Sequence, residues 1–134
     1  MEKLYTAGLI AIKDNKLLLA FSKNKQAWYL PGGKLDEGET SKEALLREIK
    51  EELNVDLNPE KLKYLYHITA QAYGQNPPKM MEQDCFIYDL TEKTKPSNEI
   101  EAVHYFDYET YKKEPVQVPG ALAAFKKLKE LGLI

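Results

Sequence analysis

Three glutamates crowd one side of a predicted helix in the first half of the chain. Residues 32–55 read GGKLDEGETSKEALLREIKEELNV, a glycine pair followed by an acidic loop and a helix that carries Glu48, Glu51 and Glu52. At 100° per residue, the three carboxylates fall within an arc of about 100° on the helix surface. A like-charge i, i+4 pair such as Glu48 and Glu52 costs about 0.2–0.5 kcal/mol. We therefore expect a cation at this helix face.

The same helix has a clear start and a clear buried side. Thr40-Ser41-Lys42-Glu43 matches a capping box, with Thr40 as N-cap and Glu43 bonding back to its amide. An apolar stripe predicts the face that packs on a sheet; it consists of Leu45, Leu46, Ile49 and Leu53. Glu52 borders Leu45 on the helix surface. The acids are therefore expected at the rim of a cleft and not on the free solvent face.

A plain solvated helix is the alternative interpretation of this segment. Glu43 with Arg47, and Arg47 with Glu51, are i, i+4 pairs that stabilise an ordinary surface helix. The glycine pair and Glu39 favour the metal hypothesis. The two glycines and the capped helix are directed at one point, and a metal bound there would explain both features.

The ligand types indicate which metal and which chemistry to expect. Carboxylate and carbonyl oxygens suit Mg²⁺ or Mn²⁺, whereas zinc prefers histidine or cysteine. His67 and His104 are the only histidines and lie far apart in sequence, so a zinc site is not expected. Protein-bound Mg²⁺ commonly meets substrate phosphates, and such ions activate a water for attack on phosphorus. Metal-assisted hydrolysis of a phosphoanhydride is the chemistry that this pattern favours.

The remaining pattern predicts an α/β fold over residues 1–134 as a single domain, with a mixed β-sheet between helices. A turn at residues 13–15 separates the first two strands, and Gly132 ends the last helix. The predicted strands are Leu4–Ile12, Lys16–Ser22, Trp28–Leu30, Leu62–Tyr73, Met81–Leu90 and Val103–Phe106, and the second predicted helix is Pro119–Leu131.

Composition excludes several classes of function. Nineteen basic and 21 acidic residues give a formal charge of −2, so nothing steers the molecule towards nucleic acid or an anionic membrane. No signal-peptide pattern is visible, and no apolar run approaches the roughly 18 residues of a membrane span. The single cysteine, Cys85, allows no internal disulfide and suits a reducing compartment. We expect a cytoplasmic protein with no nucleic-acid or membrane partner.

The central stretch resembles the Nudix box, G-x5-E-x7-R-E-U-x-E-E-x-G-U, where U is aliphatic. Gly33, Glu39 and the run Arg47–Val55 occupy its fixed positions, and the one departure is Asn54 in place of the last glycine. Asparagine adopts the left-handed conformation more readily than most residues, so a helix stop is still expected there. The resemblance implies a Nudix-type α/β/α sandwich and a MutT-like hydrolase.

The resemblance also implies roles for individual residues. Glu48, Glu51 and Glu52 would be metal ligands together with a backbone carbonyl at Gly32. Arg47 would orient the glutamates, and Glu39 would hold the loop or the helix start.

A further glutamate is expected late in the chain, where many MutT-like members carry one six residues before a tryptophan. Glu99 lies six residues before Tyr105 and is our candidate for a metal ligand or general base, with Glu101 and Glu82 as alternative candidates. The catalytic set is then Glu39, Arg47, Glu51, Glu52 and Glu99.

The implied reaction is cleavage of a nucleoside diphosphate linked to another group. We expect a Mg²⁺-dependent pyrophosphohydrolase acting on a nucleoside triphosphate, which would yield the monophosphate and pyrophosphate. ADP-ribose or a dinucleoside polyphosphate as substrate, and a non-catalytic nucleotide-binding module, stay open as alternatives, as does a homodimer. The residues expected to contact the substrate are Lys23, Trp28, Gly33 and Phe86, with Lys25, Phe21, Tyr29 and Tyr73 also available.

Overall fold

Two four-stranded sheets form the framework of the protein in the computed structural model, which describes residues 1–134. The strands are β1 (Glu2–Ile10), β2 (Ile12–Lys13), β3 (Lys16–Ser22), β4 (Ala27–Tyr29), β5 (Gly32–Lys34), β6 (Lys63–Gln71), β7 (Lys79–Ile87) and β8 (Ile100–Phe106). The helices are α1 (Ser41–Leu53), α2 (Tyr108–Tyr111) and α3 (Pro119–Glu130), with a 3₁₀ turn at Pro59–Lys61. None of these helices combines the length and apolar character needed to cross a membrane.

The first sheet is mixed, as the sequence predicts. Its strand order is β5-β1-β7-β6; β1 and β7 run parallel, and the other two pairings are antiparallel. The second sheet is antiparallel, with β3 paired to β2, β4 and β8. The sequence pattern identifies most strands but does not separate the two sheets, because alternation along a strand does not say which strand lies beside it.

Helix α1 begins and ends as the sequence predicts. Thr40 Oγ1 accepts a hydrogen bond from the Glu43 amide at 3.1 Å, and Glu43 Oε1 accepts one from the Thr40 amide at 2.9 Å. The helix stops at Asn54, which has a left-handed φ of 57°. The buried face of α1 packs into one apolar cluster with Ala7, Leu9 and Phe86 of the first sheet, and it consists of Ala44, Leu45, Ile49 and Leu53.

A second apolar cluster lies under α3. Phe125 and Leu128 of this helix are buried in one cluster with Ile68 and Cys85 of the first sheet and Leu19 of the second. The two clusters anchor α1 and α3 on different strands, which leaves a crevice between the sheets.

Several element bounds differ from the sequence prediction. Strand β1 starts at Glu2 and β8 at Ile100, both earlier than expected, and α2 was not predicted. The residues Gly32–Lys34 form strand β5, where the sequence predicted only a glycine turn. Glycine has low β propensity, so this short strand is set by pairing with β1, where Gly8 faces Gly32.

Candidate active site

A crevice of about 340 Å³ opens between the two sheets beside the N-terminus of α3. Its walls come from β1, β3, β4, β5 and β7, and three carboxylates line it: Glu48, Glu52 and Glu99. The glycine pair lies at the same wall. Residues that are distant in sequence therefore meet here around one acidic spot.

Gly32 and Gly33 give the helix room to reach the crevice. Gly32 has a φ of 138°, and a Cβ there would lie 2.1 Å from the Ala7 carbonyl oxygen. A Cβ on Gly33 would lie 2.6–3.0 Å from the carboxyl atoms of Glu48. Larger residues would therefore displace β5 from β1 or push Glu48 away.

Glu52 is partly buried and lines the wall of the crevice. Its Oε1 accepts one hydrogen bond, from the Gly32 amide at 3.2 Å. Burial raises the pKa of Glu52 to about 8, and the charges of Glu48, Glu99 and Glu51 add to the rise. Burial also raises the pKa of Glu48, although Arg47 opposes that effect. Ionised carboxylates in such a place are stabilised by a cation.

Arg47 connects the loop before α1 to the acidic face of the helix. Its Nε and Nη2 donate to the two carboxylate oxygens of Glu39 at 2.8 and 2.9 Å, and Nη1 donates to Glu48 at 2.9 Å. Nη2 also donates to the Lys34 carbonyl at 3.1 Å. The hydrogen bonds from Arg47 hold the pKa of Glu39 low, at about 2. The predicted ion pairing of Arg47 is therefore present in the structure.

Glu51 does not line the crevice with its two neighbours. Its carboxylate is half exposed and lies 3.4 Å from Arg47 Nη1. No group of three histidine, cysteine, aspartate or glutamate side chains is gathered in a metal-binding arrangement. The metal roles of Glu48, Glu51 and Glu52 thus stay predictions; Glu48 and Glu52 line the crevice and Glu51 does not.

The donor set fits a hard divalent cation. Every side-chain ligand candidate is a carboxylate, and Glu52 has a single hydrogen bond to offset its burial and the charges around it. Mg²⁺ and Mn²⁺ prefer oxygen ligands of this kind. The residues present therefore fit the cation expected from the sequence.

Among the late glutamates, the structure brings Glu99 to the crevice. Its Oε1 accepts a hydrogen bond from Ser22 Oγ at 2.7 Å, and its carbonyl accepts one from the Lys23 amide at 2.9 Å. Glu82 lies instead on the opposite face of β7 from Gln83, where it accepts a hydrogen bond from Thr69 and contacts His67. Neither competitor of Glu99, Glu82 or Glu101, lines the crevice.

Three of the expected substrate residues lie outside the crevice, and only Gly33 lines it. Trp28 packs edge-on against Phe106 and donates its indole N–H to Glu114. Alternation along β4 places Trp28 on the opposite face from Tyr29, which lines the crevice. Phe86 is buried in the cluster under α1.

Lys23 is exposed, and its contact with Glu99 is made through the backbone. Lys25, two residues on, lines the crevice and donates from Nζ to the Gly74 carbonyl at 2.9 Å. The sequence pattern does not indicate which of the two lysines in this loop lines the crevice.

Sequence reasoning also missed two buried polar residues. Thr6 and Gln83 face each other on β1 and β7 and line the crevice. The available signal was a polar residue inside an apolar strand, but ordinary surface alternation produces the same signal.

Comparison with known proteins places these features in a family. Residues 3–126 match the family model described as NUDIX domain. An 8-oxo-dGTP diphosphatase of Proteus vulgaris is 42% identical over 55 residues, which are 38% of this chain and 49% of that protein. An RNA pyrophosphohydrolase of Shewanella denitrificans is 37% identical over 87 residues, 65% of this chain and 49% of that protein. The matched part of the chain thus spans about half the length of these curated relatives.

A solved structure shows the same fold. The MutT NUDIX hydrolase from Burkholderia pseudomallei superposes with a TM-score of 0.72 at 21% identity, and covers 95% of this chain and 98% of its own. The predicted fold class is confirmed by this similarity.

Proposed function

Because the chain belongs to the Nudix family, which its match over residues 3–126 shows, we propose that it is a Mg²⁺-dependent pyrophosphohydrolase. The proposed substrate is a nucleoside triphosphate, which reacts with water to give a nucleoside monophosphate and pyrophosphate. The observation that carries this proposal is the meeting of Glu48, Glu52 and Glu99 in one crevice, where partial burial raises the pKa of Glu52.

Glu48 and Glu52 would hold the metal, with the Gly32 carbonyl and Glu51 as further ligands. When bound, Mg²⁺ or Mn²⁺ supplies positive charge against the phosphates and lowers the pKa of a bound water. Arg47 fixes the position of Glu48 through the 2.9 Å hydrogen bond and thereby acts as a positioning residue. Glu99, held by Ser22, is the candidate proton acceptor in the same crevice.

The rest of the crevice suits a nucleoside. Its volume of about 340 Å³ lies at the lower end of the roughly 300–1,000 Å³ typical of small-molecule sites. Lys25 is near enough to the acidic wall to line the same space, and its ammonium group could balance phosphate charge. Tyr29 and Tyr73, with ring centroids 6.5 Å apart, add aromatic surface. The match to an 8-oxo-dGTP diphosphatase supports a triphosphate substrate, and a similar match to an ADP-ribose pyrophosphatase keeps that alternative in the panel.

The test is release of pyrophosphate or phosphate from a substrate panel, with Mg²⁺ and with a chelator. The panel contains the common nucleoside triphosphates, ADP-ribose, NADH and diadenosine polyphosphates. We expect turnover of triphosphates only with metal. Preferential turnover of ADP-ribose or a dinucleotide would assign one of the alternative substrates. Nucleotide binding without turnover of any panel member would indicate a non-catalytic module.

We further propose that residues 1–134 act as one domain and that the protein works in the cytoplasm. The first is supported by the crevice, which takes walls from both sheets and from α1 and α3. The second is supported by Cys85, a buried cysteine without a disulfide partner.

A further inference from the structure

Two hydroxyl groups at the floor of the crevice are buried without any hydrogen-bond partner. They are Thr6 Oγ1 on β1 and Tyr29 Oη on β4, and both residues line the crevice. Thr6 is 8% exposed, so its hydroxyl has little access to bulk solvent. Buried polar groups in native proteins are nearly always paired, so two orphans in one cavity indicate a missing polar partner.

Gln83 adds an amide to the same floor. It faces Thr6 across the β1–β7 pairing and is 6% exposed. Its Oε1 is 3.8 Å from Cys85 Sγ, within reach of a weak S–H hydrogen bond, and its Nε2 donates to no group of the protein. The amide lies against Gly8, where a Cβ would come within 3.0 Å of Nε2. The absence of a side chain at Gly8 therefore leaves room for the amide in this position.

The three groups together present donors. The Gln83 oxygen is engaged by Cys85, which leaves the amide N–H₂ free. Burial raises the pKa of Tyr29, so its hydroxyl keeps its proton and remains able to donate. The Thr6 hydroxyl rotates to suit its partner. A carbonyl oxygen of the ligand, which accepts hydrogen bonds, satisfies these donors, whereas an amino group in the same position would not.

We propose that Thr6, Tyr29 and Gln83 read the nucleobase and select bases with a carbonyl group, the guanine, hypoxanthine and uracil type. Guanine offers the adjacent acceptors O6 and N7, and thymine or uracil offers O4, whereas adenine and cytosine present an exocyclic amino group at the corresponding position. The selection rests on the proposed function, since it assumes that a nucleotide occupies the crevice. Leu4 and Met81 line the same crevice and offer apolar surface to the base.

Specificity is tested by kcat/KM for GTP, ITP and UTP against ATP and CTP. The wild-type protein is expected to prefer the first group about tenfold or more, because unpaired buried groups penalise the wrong base. In Tyr29→Phe and Thr6→Val, which remove only a hydroxyl or replace it with a methyl, the ratio of GTP to ATP kcat/KM is expected to fall about 5- to 20-fold. Gln83→Met is the third variant. Tyr64→Phe, on the exposed outer face, is the control whose ratio stays unchanged.

Two further measurements do not depend on turnover. Calorimetry in chelator compares GMP and UMP with AMP, and the preference for GMP and UMP is expected to weaken in the variants. Thermal unfolding of the free protein is expected to give an equal or higher Tm for Tyr29→Phe and Thr6→Val, because each removes an unpaired buried hydroxyl.

The possible results separate this inference from the proposed function. Absence of turnover on all triphosphates, with hydroxyl-dependent binding of GMP, would refute the reaction and support the base selection. Turnover with no base preference, or with a preference that survives all three variants, would refute the selection and leave the reaction intact. A Tm several degrees lower in either hydroxyl variant would show that the group has a water partner in the free protein, and that result also overturns the inference.

Discussion

The guanidinium of Arg47 meets both carboxylate oxygens of Glu39, with Nε 2.8 Å from Oε2 and Nη2 2.9 Å from Oε1. The same guanidinium donates through Nη1 to Glu48 at 2.9 Å. Paired N–H···O bonds of this kind fix orientation as well as distance. One side chain therefore ties the loop before α1 to the carboxylate that lines the crevice.

Replacement of Arg47 by lysine is expected to reduce kcat/KM by about 10- to 100-fold, a range typical of groups that orient metal ligands. A lysine keeps the charge but cannot bond both oxygens of Glu39 and also reach Glu48. Steady-state kinetics at saturating Mg²⁺ measure the loss. Lys50→Arg is the matched control, since Lys50 pairs with exposed Asp56 away from the crevice. Retention of activity within twofold in Arg47→Lys would refute the positioning role.

Glu52→Gln is expected to fold and to lose turnover by about 10²-fold or more, the scale of removing one electrostatic group from a reaction centre. The same change is expected to raise the Tm of the metal-free protein at pH 7.5, because a neutral amide replaces a partly buried carboxyl that has one hydrogen bond. Assays of turnover and thermal unfolding with chelator measure the two effects. Glu60→Gln, in the exposed 3₁₀ turn, is the control. Activity within a few-fold of wild type would disprove the metal assignment of Glu52.

Substitution separates Glu99 from its competitor Glu82. Glu99→Gln is expected to lower kcat by about 10²-fold, as for a group that assists proton transfer. Glu82→Gln is expected to leave kcat unchanged, because Glu82 contacts His67 and Thr69 and does not line the crevice. The opposite ranking of the two variants would show that the late glutamate was misassigned.

The sequence predicts the parts of the site that lie close together along the chain. The spacing of Glu39 and Arg47 and the i, i+4 repeat of Glu48 and Glu52 are fixed by one loop and one helix, so a local pattern is sufficient. Glu99 was found only through the family resemblance.

The specificity residues could not be predicted in this way. Thr6 and Gln83 meet through a parallel pairing between strands that lie far apart in sequence, and no local pattern contains that register. Trp28 and Tyr29 are adjacent in β4, and only the position of that strand in the sheet decides which ring faces the crevice. The sequence therefore predicts the proposed metal-binding face of α1 better than it predicts the residues proposed to select the substrate.

His67 is expected to make the stability of the protein depend on pH. Its Nδ1 lies 2.9 Å from Asp84 and its Nε2 2.7 Å from Glu82, and these hydrogen bonds raise its pKa above the ordinary 6.5. A raised pKa means that the contribution to stability is fully present below the ordinary value and is lost as the pH rises through the raised value.

His67→Gln should therefore lower Tm more at pH 6 than at pH 9. Because the His67 side chain is partly exposed, water screens the pair and the difference should be small. Thermal unfolding across this range, with His104→Gln as control, measures it. A difference between wild type and His67→Gln that does not vary with pH would contradict the ion-pair assignment.

Asn54 occupies the position where the family pattern has glycine. Replacing Asn54 by glycine is expected to lower the free energy of unfolding. Glycine adopts the left-handed conformation of this residue without steric cost, which favours the substitution. The Asn54 side chain, however, donates to the Lys95 carbonyl at 2.6 Å and to Ser97 Oγ at 3.0 Å. Two lost hydrogen bonds, at about 0.5–1.5 kcal/mol each, outweigh the backbone gain. We expect Asn54→Gly to lower the free energy of unfolding by about 1 kcal/mol.

The segment held by Asn54 leads directly to Glu99. Its amides and side chains satisfy the last carbonyls of α1: Ser97 Oγ and Asn98 Nδ2 donate to Glu51, and the Ser97 amide donates to Glu52. A looser segment would place Glu99 less accurately, so kcat should fall a few-fold in Asn54→Gly while KM changes little. Asn54→Ala is the comparison, since it loses the same hydrogen bonds and keeps the Cβ penalty, and it should be the less stable of the two. Urea unfolding and steady-state kinetics measure both effects. A glycine variant more stable than wild type would show that the two side-chain hydrogen bonds contribute less than the strain of the left-handed backbone at this residue.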